Sequence, residues 1–412
     1  MSASNTVPNV WFEYVQFMKK IFLLIYLASS FSLSVQAQSS NTVKNSSIQT
    51  TAASRTSSAK SSVAGDSTKS TTLNDGSVYI GQVKDQRPHG KGRISYRNGD
   101  RFSGEFNNGM REGKGTYRYK SGDRYDGEYK ANKMHGKGVF TYVDGRKYDG
   151  TWENGVINGY GRMDYPNGDY YVGAWVDGKR TGSGTYVFAD GEIYSGEWMD
   201  DVRCGVGTFV WNDNGRYIGE WKENRRDGNG EFRSASGTLY KGSWVADKCE
   251  GNGMYTYPDG TVYEGNSKAG KWDGKGKYIV GGKVVYEGEF RQGKRNGRGM
   301  MSFPCGAVYE GEWKDDKREG QGKYTWGNGD VYEGSWKNDK MNGTGVLKLV
   351  DGRQYEGGFV NGLEHGKGCA VDKNGTRYEG EFHEGQRNGR FVIKDAKGNV
   401  TRECVYNMGV IK

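Results

Sequence analysis

An aromatic residue followed two positions later by glycine recurs every 23 residues along this 412-residue chain, fourteen times without an insertion or deletion. The first copy begins at Tyr79 and the last at Tyr378. A period held over fourteen copies indicates that each unit is one supersecondary element and that the units stack along an axis. The repeats also occupy most of the chain, which weakens any enzymatic interpretation.

Glycine recurs at four fixed positions of the unit. With the leading aromatic residue as position 0, glycine occupies +2 and +11 in all fourteen units, +13 in all but one (Phe391), and +20 in all but two (Asn214 and Lys283). Apolar and polar residues alternate between the glycines, and sequences such as Pro-Asp-Gly at 258–260 indicate a turn. Each unit is therefore predicted to be a β-hairpin. The bare backbone at +11 and +13 predicts an aromatic ring lying across both glycines.

A single 23-residue hairpin buries too little apolar surface to offset the entropy lost on ordering it, so neighbouring hairpins must supply cross-strand hydrogen bonds and ring contacts. The predicted fold class is all-β. It is an elongated, single-layer antiparallel sheet of fourteen stacked 23-residue hairpins over residues 79–400. Residues 401–412 are predicted to form a C-terminal capping strand, because terminal repeats of such stacks are atypical.

The unit resembles the MORN repeat (membrane occupation and recognition nexus), whose pattern runs Tyr-x-Gly-x-Trp, then Gly-x-Gly, then an aromatic-rich strand and Pro-Asp-Gly. Residues 332–336 with Gly343 and Gly345 match this pattern. The resemblance implies a twisted sheet used as a scaffold, with proposed roles in membrane-lipid association and in binding peptide segments along a groove. The motif residues of this family are chiefly structural, so the resemblance implies no catalytic residue.

The N-terminal region resembles a bacterial secretory signal. Lys19 and Lys20 precede an apolar run at 21–28, and small residues follow up to Ala37. Cleavage after Ala37 is favoured over an uncleaved anchor, because the run is shorter than the ~20 residues that a membrane span needs. Residues 1–37 are thus predicted to be a cleaved secretory signal, with Met18 as an alternative start that would leave residues 1–17 untranslated. Either start would make the chain an exported MORN-repeat protein, periplasmic or secreted.

Residues 38–78, rich in Ser and Thr, are predicted to be a disordered linker, because they hold little apolar surface to bury. The chain carries 59 basic and 50 acidic residues, which are interspersed and do not indicate a nucleic-acid partner.

Several chemical functions lack their motifs. No phosphate-binding loop or kinase signature is present, although plant lipid kinases carry MORN repeats beside a separate kinase domain. His89, His135 and His365 share position +10 but belong to units one, three and thirteen, and His383 occupies a different position. We therefore predict no metal, no cofactor and no enzymatic activity.

Aromatic residues at positions 0 and +4 form a ladder along one sheet face, which is a candidate groove for a peptide or partner chain. Purely structural use of these rings is the alternative. The candidate groove comprises Tyr148, Trp152, Tyr171, Trp175, Tyr194, Trp198, Tyr217, Trp221, Tyr240 and Trp244.

Basic residues recur at positions +8 and +9, on one long edge of the predicted sheet. They form a candidate surface for anionic headgroups or an acidic partner. Protection of exposed strands against aggregation is the alternative. The candidate edge comprises Lys179, Arg180, Arg225, Arg226, Lys294, Arg295, Lys317 and Arg318.

Together these observations predict a non-enzymatic scaffold that binds a protein or peptide partner or the cell-envelope surface. The alternative is an anionic-phospholipid-binding protein that uses the basic edge. Unit nine departs from the pattern three times, with Ser267 in place of the +4 ring, Lys283 in place of the +20 glycine, and an extra ring at Trp272. These departures suggest a bend or a partner contact; sequence drift at a tolerant position is the alternative.

Overall fold

A computed structural model describes residues 69–412, and every regular element within this range is a β-strand. The 31 strands form one open antiparallel sheet, in which each strand pairs with the strands that precede and follow it in the chain. The predicted all-β sheet of stacked hairpins is confirmed. The predicted signal at 1–37 and the linker as far as residue 68 lie outside the described residues.

The strands are β1 (Lys69–Thr72), β2 (Val78–Lys84), β3 (Arg87–Ser95), β4 (Arg101–Asn107), β5 (Met110–Arg118), β6 (Arg124–Lys130), β7 (Lys133–Thr141), β8 (Lys147–Glu153), β9 (Val156–Asp164), β10 (Tyr170–Val176), β11 (Lys179–Val187), β12 (Ile193–Met199), β13 (Val202–Val210), β14 (Arg216–Lys222), β15 (Arg225–Arg233), β16 (Leu239–Val245), β17 (Lys248–Thr256), β18 (Val262–Lys268), β19 (Lys271–Val280), β20 (Lys283–Arg291), β21 (Lys294–Ser302), β22 (Val308–Lys314), β23 (Lys317–Thr325), β24 (Val331–Lys337), β25 (Lys340–Lys348), β26 (Gln354–Val360), β27 (Leu363–Val371), β28 (Arg377–His383), β29 (Gln386–Lys394), β30 (Val400–Asn407) and β31 (Val410–Ile411).

Each regular hairpin joins a seven-residue strand to a nine-residue strand through a two-residue turn at +6 and +7. We number the hairpins by unit, so that hairpin 1 begins at Tyr79 and hairpin 6 at Tyr194. In hairpin 6 the turn residues are Asp200 and Asp201, with φ of 48° and 70°. Positive φ at both positions is the signature of a type I′ turn, whose twist matches that of the flanking strands. A five-residue loop leads to the next hairpin; in hairpin 4 the Tyr165 N–H donates to the Asp169 carbonyl at 2.9 Å.

The glycines at +2 and +13 form a continuous row across the sheet. Gly207 pairs with Gly196 on one side and Gly219 on the other, and the same pairing recurs from β2 to β28. A Cβ placed on Gly207 would lie 2.5 Å from the hydroxyl oxygen of Tyr194, because the position-0 ring lies flat over this backbone. The predicted contact between an aromatic ring and a glycine is thus confirmed for +13.

The same prediction is wrong for the glycines at +11. Gly205 lies in a β-bulge between the pairs Gly196–Gly207 and Glu197–Cys204, with φ of 55°, a conformation that other residues adopt rarely. A Cβ there would meet the Glu197 carboxylate and no ring. The side chain at +3 therefore fills this space, and in hairpin 7 the corresponding Glu220 accepts the bulge N–H of Asn229 at 2.8 Å.

Hairpin 9 connects to hairpin 10 differently from the other units. Gly281 and Gly282, with φ of 57° and 76°, form a two-residue turn between β19 and β20, so no +20 glycine is needed at Lys283. Trp272 stacks on Tyr263, with ring centroids 4.2 Å apart and planes 6° apart. The departures of this unit are thus locally compensated, because Trp272 supplies the ring that the buried Ser267 lacks.

Both ends of the sheet extend past the fourteen units. β1 pairs with β2, and the Leu73 N–H donates to the Ser77 carbonyl at 2.8 Å, as the loop of a regular unit does. The structure therefore places residues 69–78 in the sheet, whereas the sequence predicted a linker there. These residues correspond to the last part of a degenerate repeat, which the high Ser and Thr content of the segment made hard to recognise in the sequence. At the other end, β30 and β31 occupy the predicted capping region.

Candidate functional site

The ten aromatic residues of the predicted groove lie in the core of the sheet. The five tyrosines are 0–1 % exposed and the five tryptophans 4–6 % exposed. In hairpin 4 the ring of Tyr148 lies edge-to-face with Trp152 at 5.4 Å and with Trp175 of the next hairpin at 5.6 Å. Partner binding at these residues stays a prediction, but the rings themselves are used against each other and against the glycine row.

Hydrogen bonds fix both rings on the backbone. The Tyr148 hydroxyl donates to the Thr151 carbonyl at 3.2 Å, and the Trp152 indole N–H donates to the Gly138 carbonyl at 3.1 Å. Burial raises the pKa of Tyr148 to about 12. These tyrosines are therefore neutral structural groups at physiological pH, and none is prepared for proton transfer.

The arginines at +9 cover the tryptophans and clamp consecutive hairpins together. The Arg226 guanidinium lies 4.3 Å from the Trp244 ring centroid. Its Nε donates to Asp247 Oδ1 and its Nη2 to the Asp247 carbonyl, both at 3.0 Å. Asp247 occupies the +7 turn position of the next hairpin, so one side chain joins two units.

This clamp follows a strict pairing rule along the chain. Of the thirteen junctions between consecutive units, six have arginine at +9 with Asp or Asn at +7 of the next hairpin, and the other seven have glycine at +7. In every case the +7 N–H donates to the +9 carbonyl. The rule is confined to these junctions, because the carbonyl of Arg387, the seventh +9 arginine, accepts from Gly409 beyond the last unit. The clamped pairs are Arg111–Asn132, Arg180–Asp201, Arg203–Asn224, Arg226–Asp247, Arg295–Asp316 and Arg318–Asp339.

The predicted basic edge therefore separates into two groups. The +8 members, Lys179, Arg225, Lys294 and Lys317, are exposed, whereas the side chains of Arg180, Arg226, Arg295 and Arg318 at +9 are only 18–23 % exposed. Adjacent residues of a strand point to opposite faces, so only the +8 group extends into solvent from this edge. Placing the four +9 arginines on a solvated edge was wrong.

The sheet face opposite the rings is formed by the side chains at +1, +3, +12 and +14, which are mainly charged and polar but include exposed apolar residues such as Val206 and Met300. An open groove of about 720 Å³ crosses this face at hairpins 8–10. The backbone of Gly253, Gly265, Gly276 and Gly288 contributes to its lining. Its other lining residues are Lys241, Asn252, Met254, Glu264, Lys275, Lys277, Glu287, Glu289 and Arg298. The sequence did not reveal this surface as a site, because its residue types vary from unit to unit.

A family model described as MORN repeat matches this chain at fourteen successive segments between residues 79 and 390. The chain belongs to the MORN-repeat family. The matched segments are 79–101, 102–124, 125–145, 148–170, 171–193, 194–216, 217–239, 240–262, 263–279, 286–307, 309–331, 332–352, 355–377 and 378–390. The ninth ends at the irregular turn of hairpin 9, where the chain departs from the MORN pattern.

Comparison with curated protein sequences found no match for this MORN-repeat chain. Among solved structures, the TCP10 domain of Danio rerio CPAP is 13 % identical, with a TM-score of 0.30; the alignment covers 54 % of this chain and all of that domain. The SAS-4 TCP domain of Drosophila melanogaster, in complex with a proline-rich motif of Ana2, is 13 % identical with a TM-score of 0.21, covering 52 % of this chain and 99 % of that one. TM-scores this low support no inference for the MORN sheet.

Two histidines of the MORN repeats meet in the structure. His365 and His383 belong to consecutive hairpins and their ring centroids lie 5.0 Å apart, so His383 does approach one of the three +10 histidines. Within residues 69–412 no group of three or more His, Cys, Asp or Glu side chains is arranged to hold a metal ion. The same part of the chain contains no helix of the length and apolarity that a membrane crossing requires.

Proposed function

We propose that this MORN-repeat protein is a non-enzymatic scaffold that binds an extended segment of a partner protein across several hairpins. The observation that carries this proposal is the groove at hairpins 8–10, which is open and lies on the face that the rings leave free. Sites for small molecules are mostly apolar and enclosed. An open groove bordered by charged side chains suits a peptide chain better.

The walls of the groove carry charges of both signs. Lys275 at +12 pairs with Glu289 at +3 of the following strand, and Arg298 and Glu287 also line the groove. Met254, which is 37 % exposed, adds an apolar contact within the same groove. A partner segment with alternating polar and apolar residues would complement this lining, and the hairpin stack would hold it in one direction.

Site-specific photocrosslinking tests the proposal. A photoreactive amino acid at position 254 is expected to form adducts with a partner protein in cell-envelope extracts. The same group at position 373, in an exposed loop on the far edge, serves as the control. Adducts from position 254 that disappear in a Lys275→Gln/Arg298→Gln background would support the groove. Equal adducts from both positions, or none from position 254, would contradict it.

A second candidate function is association with anionic phospholipid, supported by the exposed +8 cations such as Lys294 and Lys317. Electrostatic attachment to headgroups weakens strongly with ionic strength. Flotation with vesicles containing phosphatidylglycerol is expected to recover the protein at low salt and to lose it at physiological salt. Recovery that is independent of both salt and lipid charge would argue against this function.

A further inference from the structure

Cations flank the two-residue turn of six consecutive hairpins, from hairpin 7, which begins at Tyr217, to hairpin 12, which begins at Tyr332. The residues at +5 and +8 pair directly across each turn. All twelve of these residues are exposed, and all are basic except Val245. We call them the turn-edge stripe. It comprises Lys222, Arg225, Lys248, Lys268, Lys271, Arg291, Lys294, Lys314, Lys317, Lys337 and Lys340.

The fold does not require these cations. Like charges directly opposite each other on paired strands are destabilising. Hairpins 2, 6 and 13 carry uncharged pairs at the same positions, namely Asn107–Met110, Met199–Val202 and Val360–Leu363. Nor do the cations protect a strand edge, since every strand that ends in the stripe is paired on both sides. Five of the six hairpins carry a cation on both sides of the turn, which lowers the stability of the hairpin. Their recurrence therefore indicates a role in binding and not in folding.

Few acids neutralise the stripe internally. Among the ion pairs of residues 69–412, only that of Arg225 with Glu223, at 3.4 Å, involves a stripe residue. The turn aspartates at +7 are occupied by the clamp arginines, as in the pair Arg318–Asp339. The other acids near these turns are Glu223, Asp315, Glu312, Asp227, Glu250, Asp273 and Glu319. Each of Asp227, Glu250, Asp273 and Glu319 accepts a turn N–H.

The twist of the sheet decides which kind of anion can follow the stripe. Neighbouring strands rotate by roughly 20–25°, so successive turns rotate by about 45° and six hairpins wind through more than half a turn. A flat membrane would contact only a few of these turns. Duplex DNA, with a persistence length of about 50 nm, is too stiff to follow the winding. A flexible single chain can follow it throughout.

We propose that the turn-edge stripe binds an extended acidic segment of a partner protein. Two strands advance the sheet by about 9.6 Å, which is the length of about three extended residues, so a segment of about 18 residues would follow all six hairpins. A surface concavity of about 510 Å³ between the turns of hairpins 10 and 11 is lined by the cations Arg291, Lys294 and Lys314 and also by the acids Glu312, Asp315 and Glu319. The stripe contains no aromatic residue on which the bases of a single-stranded nucleic acid would stack.

Fluorescence anisotropy with a synthetic probe tests this inference. The probe is an 18-residue peptide with Glu at every third position and Gly or Ser between; its comparators carry Gln in place of Glu, or contain only six residues. The stripe variant replaces Lys248, Lys271, Lys294 and Lys317 with Gln. A matched control replaces Lys241, Lys275, Lys277 and Arg298 with Gln and so removes four cations from the groove face.

We expect the 18-residue Glu peptide to bind at low salt, the Gln peptide not to bind, and the six-residue peptide to bind at least tenfold more weakly. The stripe variant should weaken binding by about tenfold or more, because it removes four exposed cations that would pair with the carboxylates of the peptide. The groove-face control should stay within about twofold.

Equal weakening by both variants would overturn the inference and indicate a response to net charge alone. Tighter binding of phosphatidylglycerol vesicles or of an acidic polysaccharide through the same four lysines would also overturn it. The groove proposal stands or fails separately, because crosslinking at position 254 reports on the middle of the strands, where Met254 pairs with Lys241, whereas the stripe lies at the turn end of the hairpins.

Discussion

Replacing Arg226 with Ala should loosen the junction between hairpins 7 and 8, whereas replacing the adjacent Arg225 should not. The Arg226 side chain is 19 % exposed, makes two hydrogen bonds to Asp247 and lies over Trp244. The Arg225 side chain is 53 % exposed and makes one ion pair, at 3.4 Å. The two adjacent arginines therefore allow a matched comparison between an arginine that joins two hairpins and one that is largely solvated.

The magnitude follows from the contacts that are lost. Hydrogen bonds to charged groups contribute about 1.5–3 kcal/mol when shielded, and partial exposure reduces this contribution. A cation–π contact adds about 0.5–1 kcal/mol. We expect Arg226→Ala to cost about 2 kcal/mol, and Arg225→Ala to stay within about 0.5 kcal/mol, as is usual for surface substitutions.

Hydrogen exchange measured by NMR or mass spectrometry is the suitable assay, because long repeat arrays do not unfold in one cooperative step. The Asp247 N–H, bonded to the Arg226 carbonyl at 2.9 Å, reports directly on the junction. A cost of about 2 kcal/mol should speed its exchange about 30-fold where exchange follows local opening. Equal exchange in the two alanine variants would refute the clamp.

A compensating double variant sharpens this test. Junctions without arginine carry glycine at +7, as in Met134 followed by Gly155. Arg226→Met with Asp247→Gly recreates that combination, and glycine relieves the positive φ of 71° at Asp247. The double variant should cost less than the sum of its single changes. A fully additive cost would show that the pairing rule has no energetic basis.

Three further predictions concern the ring face. Gly207→Ala should destabilise the sheet more than Gly205→Ala, by about 1–3 kcal/mol in denaturant unfolding. The new Cβ at position 207 displaces a buried ring, whereas the one at position 205 mainly strains φ and moves a carboxylate. A larger cost at Gly205 would contradict this assignment. Ser267→Trp should destabilise hairpin 9, because Trp272 already occupies the space beside the buried Ser267, and the additional change Trp272→Met should relieve this effect. Thermal melts of the single and double variants would show the difference. A stabilising effect of Ser267→Trp alone would mean that the space beside Ser267 is empty. Burial raises the pKa of Tyr148 from its ordinary 10 to about 12, so the stability it contributes is complete below pH 10 and falls as pH rises towards 12. In an alkaline titration followed by absorbance and circular dichroism, the last tyrosines to ionise should do so together with unfolding, and their ionisation without unfolding would be inconsistent with a core role.

Periodicity alone was sufficient to predict the hairpins and the ring over the +13 glycines, because both are local and recur in nearly every unit. The +11 glycine was misassigned because a glycine under a ring and a glycine in a bulge with positive φ look identical in sequence. Gly205 shows the difference only through its φ and its contact with Glu197. Period two along a strand would have separated Arg225 from Arg226, since adjacent residues point to opposite faces.

The groove and the turn-edge stripe depend on pairing between strands, so neither can be located from one unit alone. The stripe arises because +5 and +8 face each other across a two-residue turn, as Lys268 and Lys271 do. The pairing of +9 with the next +7 was, in contrast, present in the sequence throughout. Comparing the fourteen units with one another at an offset of 21 residues would have revealed it.

The central claim is that the sheet is one layer thick and that each hairpin is supported only by its neighbours. Small-angle X-ray scattering on the unit Asp66–Lys412 tests this claim most directly. Thirty-one strands at about 4.8 Å each would extend roughly 150 Å before twist and coiling, and the curve should have the form of a rod with a radius of gyration well above 30 Å. A compact particle with a radius of gyration of about 20 Å, which is the value for a globular domain of this length, would contradict the single-layer stack.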